Sequence, residues 1–514
     1  MFSALWCPLF SQEYDGEDTA AEKTEEVLPA SVFVISEINY AIKGWTKPFA
    51  IAYNVELREG VEFQSREDLE AYVARKTQDL RNQRVFKEDS CFIEYSLGNP
   101  GEDGKIPVTL DVSVEDSWNI IVLPEPKYDS NSGFSLTLKA RDYNFLGTMN
   151  PVRLDLGYEL DNDGENTYGF LLDSDIPFRA FGLTWTVNFD NELNYTVGDP
   201  LYYKNVTGLS VYLPWKTTAF VFGFNQYLYV NEENSDDEKA SPGGTTFFKD
   251  TWYMASELYG QWRIPTGLEV LSFGSVDYTP AIAETIRYRP GGDVGEWRHP
   301  VLSLSHSVGF GRIDWLGNYR QGLNVRLTNG NYLDQVDNTW SNYFAAAAIA
   351  HYRFGKLLGV SGRLLFQAWR EDPHTGAGDI LRGIYNDDLT ARKMLSLNLE
   401  FPFRLIRFVP SEWFRHKNWR ILDFEQHWSP FIDMAIADDP NKEYDKDGIR
   451  FAPSDIITTV GLEVITFPLS WRSIYLRISV GCDLKGDIRE WPKKHNKVFL
   501  PSGSEIYIGL GHFF

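Results

Sequence analysis

Cysteine, long apolar runs and basic charge are all scarce in this chain of 514 residues. Its three cysteines, Cys7, Cys91 and Cys482, are too scattered for a disulfide framework or a paired metal site. No apolar run approaches the roughly 18 residues of a spanning helix, Phe344 to Ala350 coming nearest, so no helical membrane crossing is expected. Lys and Arg number 49 against 72 Asp and Glu, a net charge of −23. That balance argues against a nucleic-acid partner, since phosphate binding needs a basic surface. The eight histidines fall into no H-x-x-x-H or H-x-x-E spacing, and G-x-S-x-G and phosphate-cradling glycine loops are missing. The chain is therefore expected not to be an enzyme, and to need no cofactor or metal.

What is abundant is aromatic side chains, with 16 Trp, 27 Tyr and 34 Phe, together with apolar–polar alternation along most of the length. A soluble sandwich or propeller shares the alternation. Alternation with this aromatic content, in a chain too long for one ordinary core, fits a membrane β-barrel with aromatic girdles.

Read in order, residues 1–11 are apolar without a basic lead, as in the tail of a partial signal peptide, and 12–30 form an acidic spacer poor in apolar residues. Residues 31–117 then predict a small α+β domain. A strand over Ser31–Tyr40 leads to a short helix over Lys47–Leu57. A second helix opens with the capping box Ser65-Arg66-Glu67-Asp68, carries Leu69, Val73 and Leu80 on one face, and precedes strands at Cys91–Leu97 and Val108–Val114. From 118 to 514 alternating segments are separated by short turns and by long polar loops such as the acidic Asn231–Gly244. About seventeen or eighteen such segments are legible, one of them suspected to be a bent strand split in two between Asn205 and Tyr278. The last, Ser504–Phe514, puts Ile506, Ile508, Leu510 and Phe514 on one face.

One stretch organises the rest. Leu381-Arg382-Gly383-Ile384 ends a polar loop and precedes the alternating run Met394–Phe403, which contains Asn398-x-Glu400. Further on stands Phe431-Ile432-Asp433-Met434-Ala435. A guanidinium suits a planar, bidentate carboxylate contact. Asp433 is the expected partner of Arg382, with Phe431 on the same strand face to stack on the guanidinium and Glu400 as second choice.

These motifs resemble those of the outer-membrane protein assembly-factor superfamily, the BamA/TamA-like surface-antigen barrels. The likeness extends over residues 31–514. It includes a POTRA-like order of elements with the corner Arg84-Val85-Phe86-Lys87, the D-x-N-x-x-G run Asp142–Gly147, the L-R-G-I loop, N-x-E and the terminal aromatic strand. Three departures stand out: there is room for one POTRA domain only, Ala435 occupies the last position of F-x-D-x-G, and the loop after Gly383 is acidic at Asn386-Asp387-Asp388.

The resemblance implies a mainly β protein, a roughly 16-stranded antiparallel outer-membrane barrel behind one POTRA-like domain in the periplasm. It implies insertion and assembly of outer-membrane proteins, with unfolded clients, membrane lipids and accessory periplasmic proteins or lipoproteins as partners. Client strands would be templated at a weak barrel seam, in which Gly509, Gly511 and Phe514 of the last strand take part. Ile93 and Tyr95 would sit on a docking edge of the periplasmic domain, and Arg382 and Gly383 would anchor the loop to the barrel wall at Phe431, Asp433 and Glu400. A two-partner secretion pore and a passive porin or adhesin are the alternatives.

Overall fold

In the computed structural model, residues 32–510 are described apart from 102–103, 130–132, 161–163, 216–217, 232–251, 270–274, 290–298, 337, 370–374, 377–379, 385–389, 392, 416, 438–455, 471–474 and 485–503. Residues 1–11 and 12–30, expected to be a partial signal peptide and an acidic spacer, lie outside these residues, as do Gly511 and Phe514.

The N-terminal domain is built from β1 (Val32–Lys43), α1 (Pro48–Asn54), a two-residue β2 (Glu62–Phe63), α2 (Arg66–Asn82), β3 (Phe92–Leu97) and β4 (Lys105–Glu115). Pro48 sits in the first turn of α1, where its missing amide costs nothing, and the helix is shorter than the expected Lys47–Leu57. The Ser65 side chain accepts from the Asp68 amide at 3.1 Å and starts α2 as the capping box predicts. Leu69 and Leu80 of α2 are fully buried with Ile35, Phe86 and Leu110 in one core.

The sheet order is β2-β1-β4-β3, with β1 and β4 parallel and β3 antiparallel to β4. This makes β3 an edge: among the described residues no strand pairs with its outer side. The Gly98 amide donates to the Pro107 carbonyl at 2.8 Å, which fixes the phase of the ladder. Hydrogen-bonded pairs in an antiparallel ladder recur every second residue. The amides and carbonyls of Ile93, Tyr95 and Leu97 therefore point away from β4, along the open edge.

The remaining strands close into an antiparallel barrel of nineteen segments among the described residues, from Ile120–Asp129 to Ser504–Leu510. Two of the nineteen, Lys393–Glu400 and Phe403–Phe408, share one place in the ring. Both pair with Leu358–Trp369 on one side and with Phe424–Ala437 on the other. They are parted at Phe401-Pro402: the Phe401 amide still donates in register to the Pro430 carbonyl at 3.0 Å, but Pro402 has no amide to continue the ladder on the other side. That leaves eighteen strand places, more than the roughly 16 that the resemblance implied. The suspected split strand does not exist: Tyr202–Trp215, Thr218–Val230, Trp252–Glu269 and Ser275–Tyr288 are four separate strands.

The outer wall is apolar along its rows. Leu138 stands opposite Leu156, and Phe222, Leu258, Leu304 and Leu364 are among the exposed large side chains. No helix among the described residues is long and apolar enough to cross a membrane.

Candidate functional site

The structure brings Arg382, Asp433, Glu400 and Phe431 into one buried cluster. Ile380, Leu381 and Ile384 are buried against Met394 and Ala435, which anchors the loop by its apolar residues on either side of the arginine. The methyl group of Ala435, at the place where the resemblance has glycine, is part of that packing. Arg382 is 3% exposed. Its Nε and Nη2 donate to Asp433 Oδ2 and Oδ1 at 2.9 and 2.8 Å, and its own amide donates to Oδ2 at 3.0 Å. Nη1 donates to Glu400 Oε1 at 2.5 Å, and the guanidinium lies 3.8 Å above the Phe431 ring. Strand pairing sets this up: Asn398 stands opposite Asp433 and Glu400 opposite Phe431.

The Phe431 ring rests on a floor of two glycines. A Cβ on Gly461 would come within 2.3 Å of the ring, so the space beneath the aromatic exists only because side chains are missing there. Gly383 has φ +88°, and a Cβ on it would stand 2.6 Å from the Cys482 amide nitrogen. Both the turn after Arg382 and its approach to the wall therefore require glycine.

Several members of the network were not legible beforehand. Glu463 is fully buried, with Oε2 3.5 Å from Arg382 and 3.7 Å from Arg477. Arg477 in turn lies 3.9 Å over the Tyr507 ring of the last strand. Arg363 donates to Asn398 Oδ1 and to the Ile380 carbonyl, both at 3.0 Å, and Asn398 donates to the same carbonyl at 2.8 Å. The asparagine of N-x-E thus holds the loop backbone while the glutamate holds its guanidinium. A signal for Glu463 did exist, a lone acid in the apolar run Val460-Gly461-Leu462-Glu463-Val464. The two Glu463 oxygens are buried without a hydrogen bond among the described residues, so the two guanidinium groups at ion-pair distance are what offset its burial.

The barrel closes where Ile120–Asp129 neighbours Ser504–Leu510. The Tyr143 amide donates to the Asn119 carbonyl at 3.0 Å, and the register continues unbroken from Ile120/Asp142 to Asp129/Gly133. Odd-numbered residues of the first barrel strand are thereby hydrogen-bonded to their hairpin partner, and even-numbered ones face the last strand. Pro124 and Pro126 are both even, so two consecutive donor places toward the last strand carry no hydrogen. Gly509 lies in that last strand, opposite Arg477 of the preceding one.

The N-terminal domain is seated on one end of the barrel. Asn144 of the D-x-N-x-x-G turn donates to Thr46 Oγ1 at 2.7 Å, and the Lys47 amide donates to the Gly147 carbonyl at 2.9 Å. Farther round the ring, Asn82 donates to Asp314 at 2.8 Å, Asp79 pairs with Arg312 at 2.9 Å, and the Arg84 guanidinium lies 4.1 Å over Trp315. On β3 the Ile93 side chain is buried in the domain core, while Tyr95 donates to Glu70 Oε1 at 2.8 Å. That bond, helped by Arg66, holds the Glu70 carboxyl below its ordinary range. What the two residues present outward is backbone.

No protein-family model matches the chain, and no curated protein matches its sequence. Three solved structures are similar in outline. CdiB from Acinetobacter baumannii is 9% identical with a TM-score of 0.47, over 93% of this chain and 74% of that one. BamA from Haemophilus ducreyi lacking POTRA domains 1-3 is 12% identical at 0.38, over 93% and 83%. CdiB from Escherichia coli is 10% identical at 0.39, over 95% and 92%. Likenesses this distant carry no argument about activity, and the fold stands on its own strand topology.

Proposed function

We propose that this chain is an outer-membrane protein that inserts other β-barrel proteins, offering client strands a template at the seam between Ile120–Asp129 and Ser504–Leu510. The observation that carries this reading is the pair of in-phase prolines, Pro124 and Pro126, on the seam side of the first strand. A barrel wall is held by its ladder, and a place where donors are missing is where it parts with least cost. The last strand then exposes backbone acceptors that an incoming strand with normal amides can satisfy.

The other features serve the same task. The apolar exterior suits a bilayer. The open β3 edge suits capture of an extended client on the periplasmic side. The Arg382 cluster ties the loop to strands three and more places from the last one, and from there its network runs through Glu463 and Arg477 to Tyr507 of the last strand.

Locking the seam is the test. In a background without Cys7, Cys91 and Cys482, a cysteine at Val122 is combined with one at Ile506 or Ile508, and the purified protein is reconstituted in vesicles with an unfolded barrel client. Oxidation is expected to abolish client insertion and reductant to restore it. Full insertion with the seam cross-linked defeats the proposal. A secretion pore, which passes its substrate through the lumen, would keep transporting under the same lock.

A further inference from the structure

Strands in the ring alternate in direction, so the connection between Phe403–Phe408 and Phe424–Ala437 lies at the same end as the Trp315–Gly317 turn that touches the N-terminal domain. It is more than a turn. A helical turn, Pro410–Trp413, and a 3-10 turn, Lys417–Leu422, are folded into it. Asp423 accepts from the Ser411 amide at 3.0 Å, Ser470 donates to the Arg420 carbonyl at 2.7 Å, and Phe408 meets Trp413 edge-on at 5.0 Å. The element is therefore built, and it is built with its apolar side outward. Trp413 and Phe414 are each 62% exposed, Ile421 is 61% exposed, and Phe414 and Trp419 pair at 5.0 Å on the outside.

Arg415 and Arg420 are exposed in the same element, and Arg407 is exposed at the end of the strand that enters it, in a chain whose net charge is −23. The neighbouring acid, Glu412, stands 3.7 Å from Arg407 with both side chains more than half exposed, a screened contact of little strength. Exposed Leu405 and Ile406 precede the element, so the apolar outer wall of the barrel runs directly into it.

Indole and phenyl rings beside arginines, continuous with an apolar wall, have the composition of a segment lying at a bilayer surface. We propose that this connection seats its aromatic rings at the acyl boundary of the leaflet on the N-terminal domain's side. There Arg407, Arg415 and Arg420 bind the phosphates of anionic phospholipid. The assignment rests on the barrel standing in a membrane. Its charge sign is what selects anionic over zwitterionic lipid, since each arginine near such a surface contributes about a fivefold preference.

The test is quenching of tryptophan fluorescence by lipids brominated on the acyl chain, in vesicles containing the full chain. The signal of the connection is the difference between the wild type and W413F/W419F; that of the barrel wall is the difference between the wild type and W262F. Brominated phosphatidylglycerol at low mole fraction is expected to quench the first signal more than brominated phosphatidylcholine does. The triple variant R407S/R415S/R420S is expected to lose that preference, on the order of a hundredfold in the fraction needed, while R407K/R415K/R420K keeps it. Heat-shifted gel mobility reports that each variant holds a folded barrel. Equal quenching by both lipids overturns headgroup binding. Quenching by neither overturns membrane contact and leaves a protein partner or open water at this site. Trp262 separates the two ideas: if it too escapes quenching, the membrane reading itself fails.

Discussion

Arg382 and Asp433, 51 residues apart in sequence, are joined by three hydrogen bonds of 2.8 to 3.0 Å, two from the guanidinium and one from the arginine's own amide. The pair is fully enclosed, so removing one side strands charge in a dry place, at about 3–5 kcal/mol. The two losses are not expected to be equal. Asp433→Ala leaves Arg382 with Glu400 and Glu463 nearby, whereas Arg382→Ala leaves three carboxylates facing one another. Urea unfolding of the detergent-solubilised barrel should therefore show Arg382→Ala as the costlier change. The double variant should fall well short of the sum. Additive losses would exclude a direct pair.

Gly383→Ala tests the backbone half of the same anchor. A methyl group there meets the backbone at Cys482 and must adopt φ +88°, so the segment cannot keep its seat. Cleavage by added protease within residues 370–392 should accelerate to the level seen for Arg382→Ala, with the barrel still resisting SDS at room temperature. Unchanged cleavage would mean that the wall yields instead.

Replacing Pro124 and Pro126 by alanine restores two amide donors toward the last strand. Each bond formed adds about 0.5–1.5 kcal/mol, but the loss of proline frees the unfolded chain by about 0.4–1 kcal/mol. Global stability should hardly move. The seam should tighten nonetheless: hydrogen exchange in Ser504–Leu510 slows and client insertion falls, the unusual case of a repaired ladder that impairs activity. Faster insertion by the double variant would count against the seam.

On the N-terminal domain, Tyr95→Pro removes an amide that faces the open edge of β3 and leaves the β3–β4 ladder intact. Tyr95→Val keeps the amide and serves as control, since both lose the Glu70 hydrogen bond. Photo-cross-linking of an unfolded client to the domain should drop for the proline variant alone. Equal cross-linking in both would place client capture elsewhere.

The sequence and the structure agree where a single local rule decides. Alternation marked the strands, the Ser65 capping box marked α2, and the shared strand face of Phe431 and Asp433 pointed to a partner for Arg382. What could not be read depends on register between distant strands. Glu463 and Arg477 become members of the cluster only once their strands lie side by side. The phase of Pro124 and Pro126 is meaningful only relative to Tyr143 and Asn119. The strand interrupted at Phe401-Pro402 looked complete at Phe403 because a kink without an amide reads like an ending. Ring size is a global quantity, and no stretch of residues encodes it.

Eighteen places in the ring also has an electrical meaning. Barrels of this circumference are wide enough to leave a water-filled bore. Here part of the bore is taken up by the segment that Arg382 holds against the wall, with Arg363 and Asn398 gripping its backbone at Ile380. If the barrel stands in a membrane as proposed, the intact protein is expected to conduct poorly for its size in a planar bilayer. Single-channel recording is expected to show larger current steps when Arg382→Ala and Gly383→Ala loosen that segment from the wall.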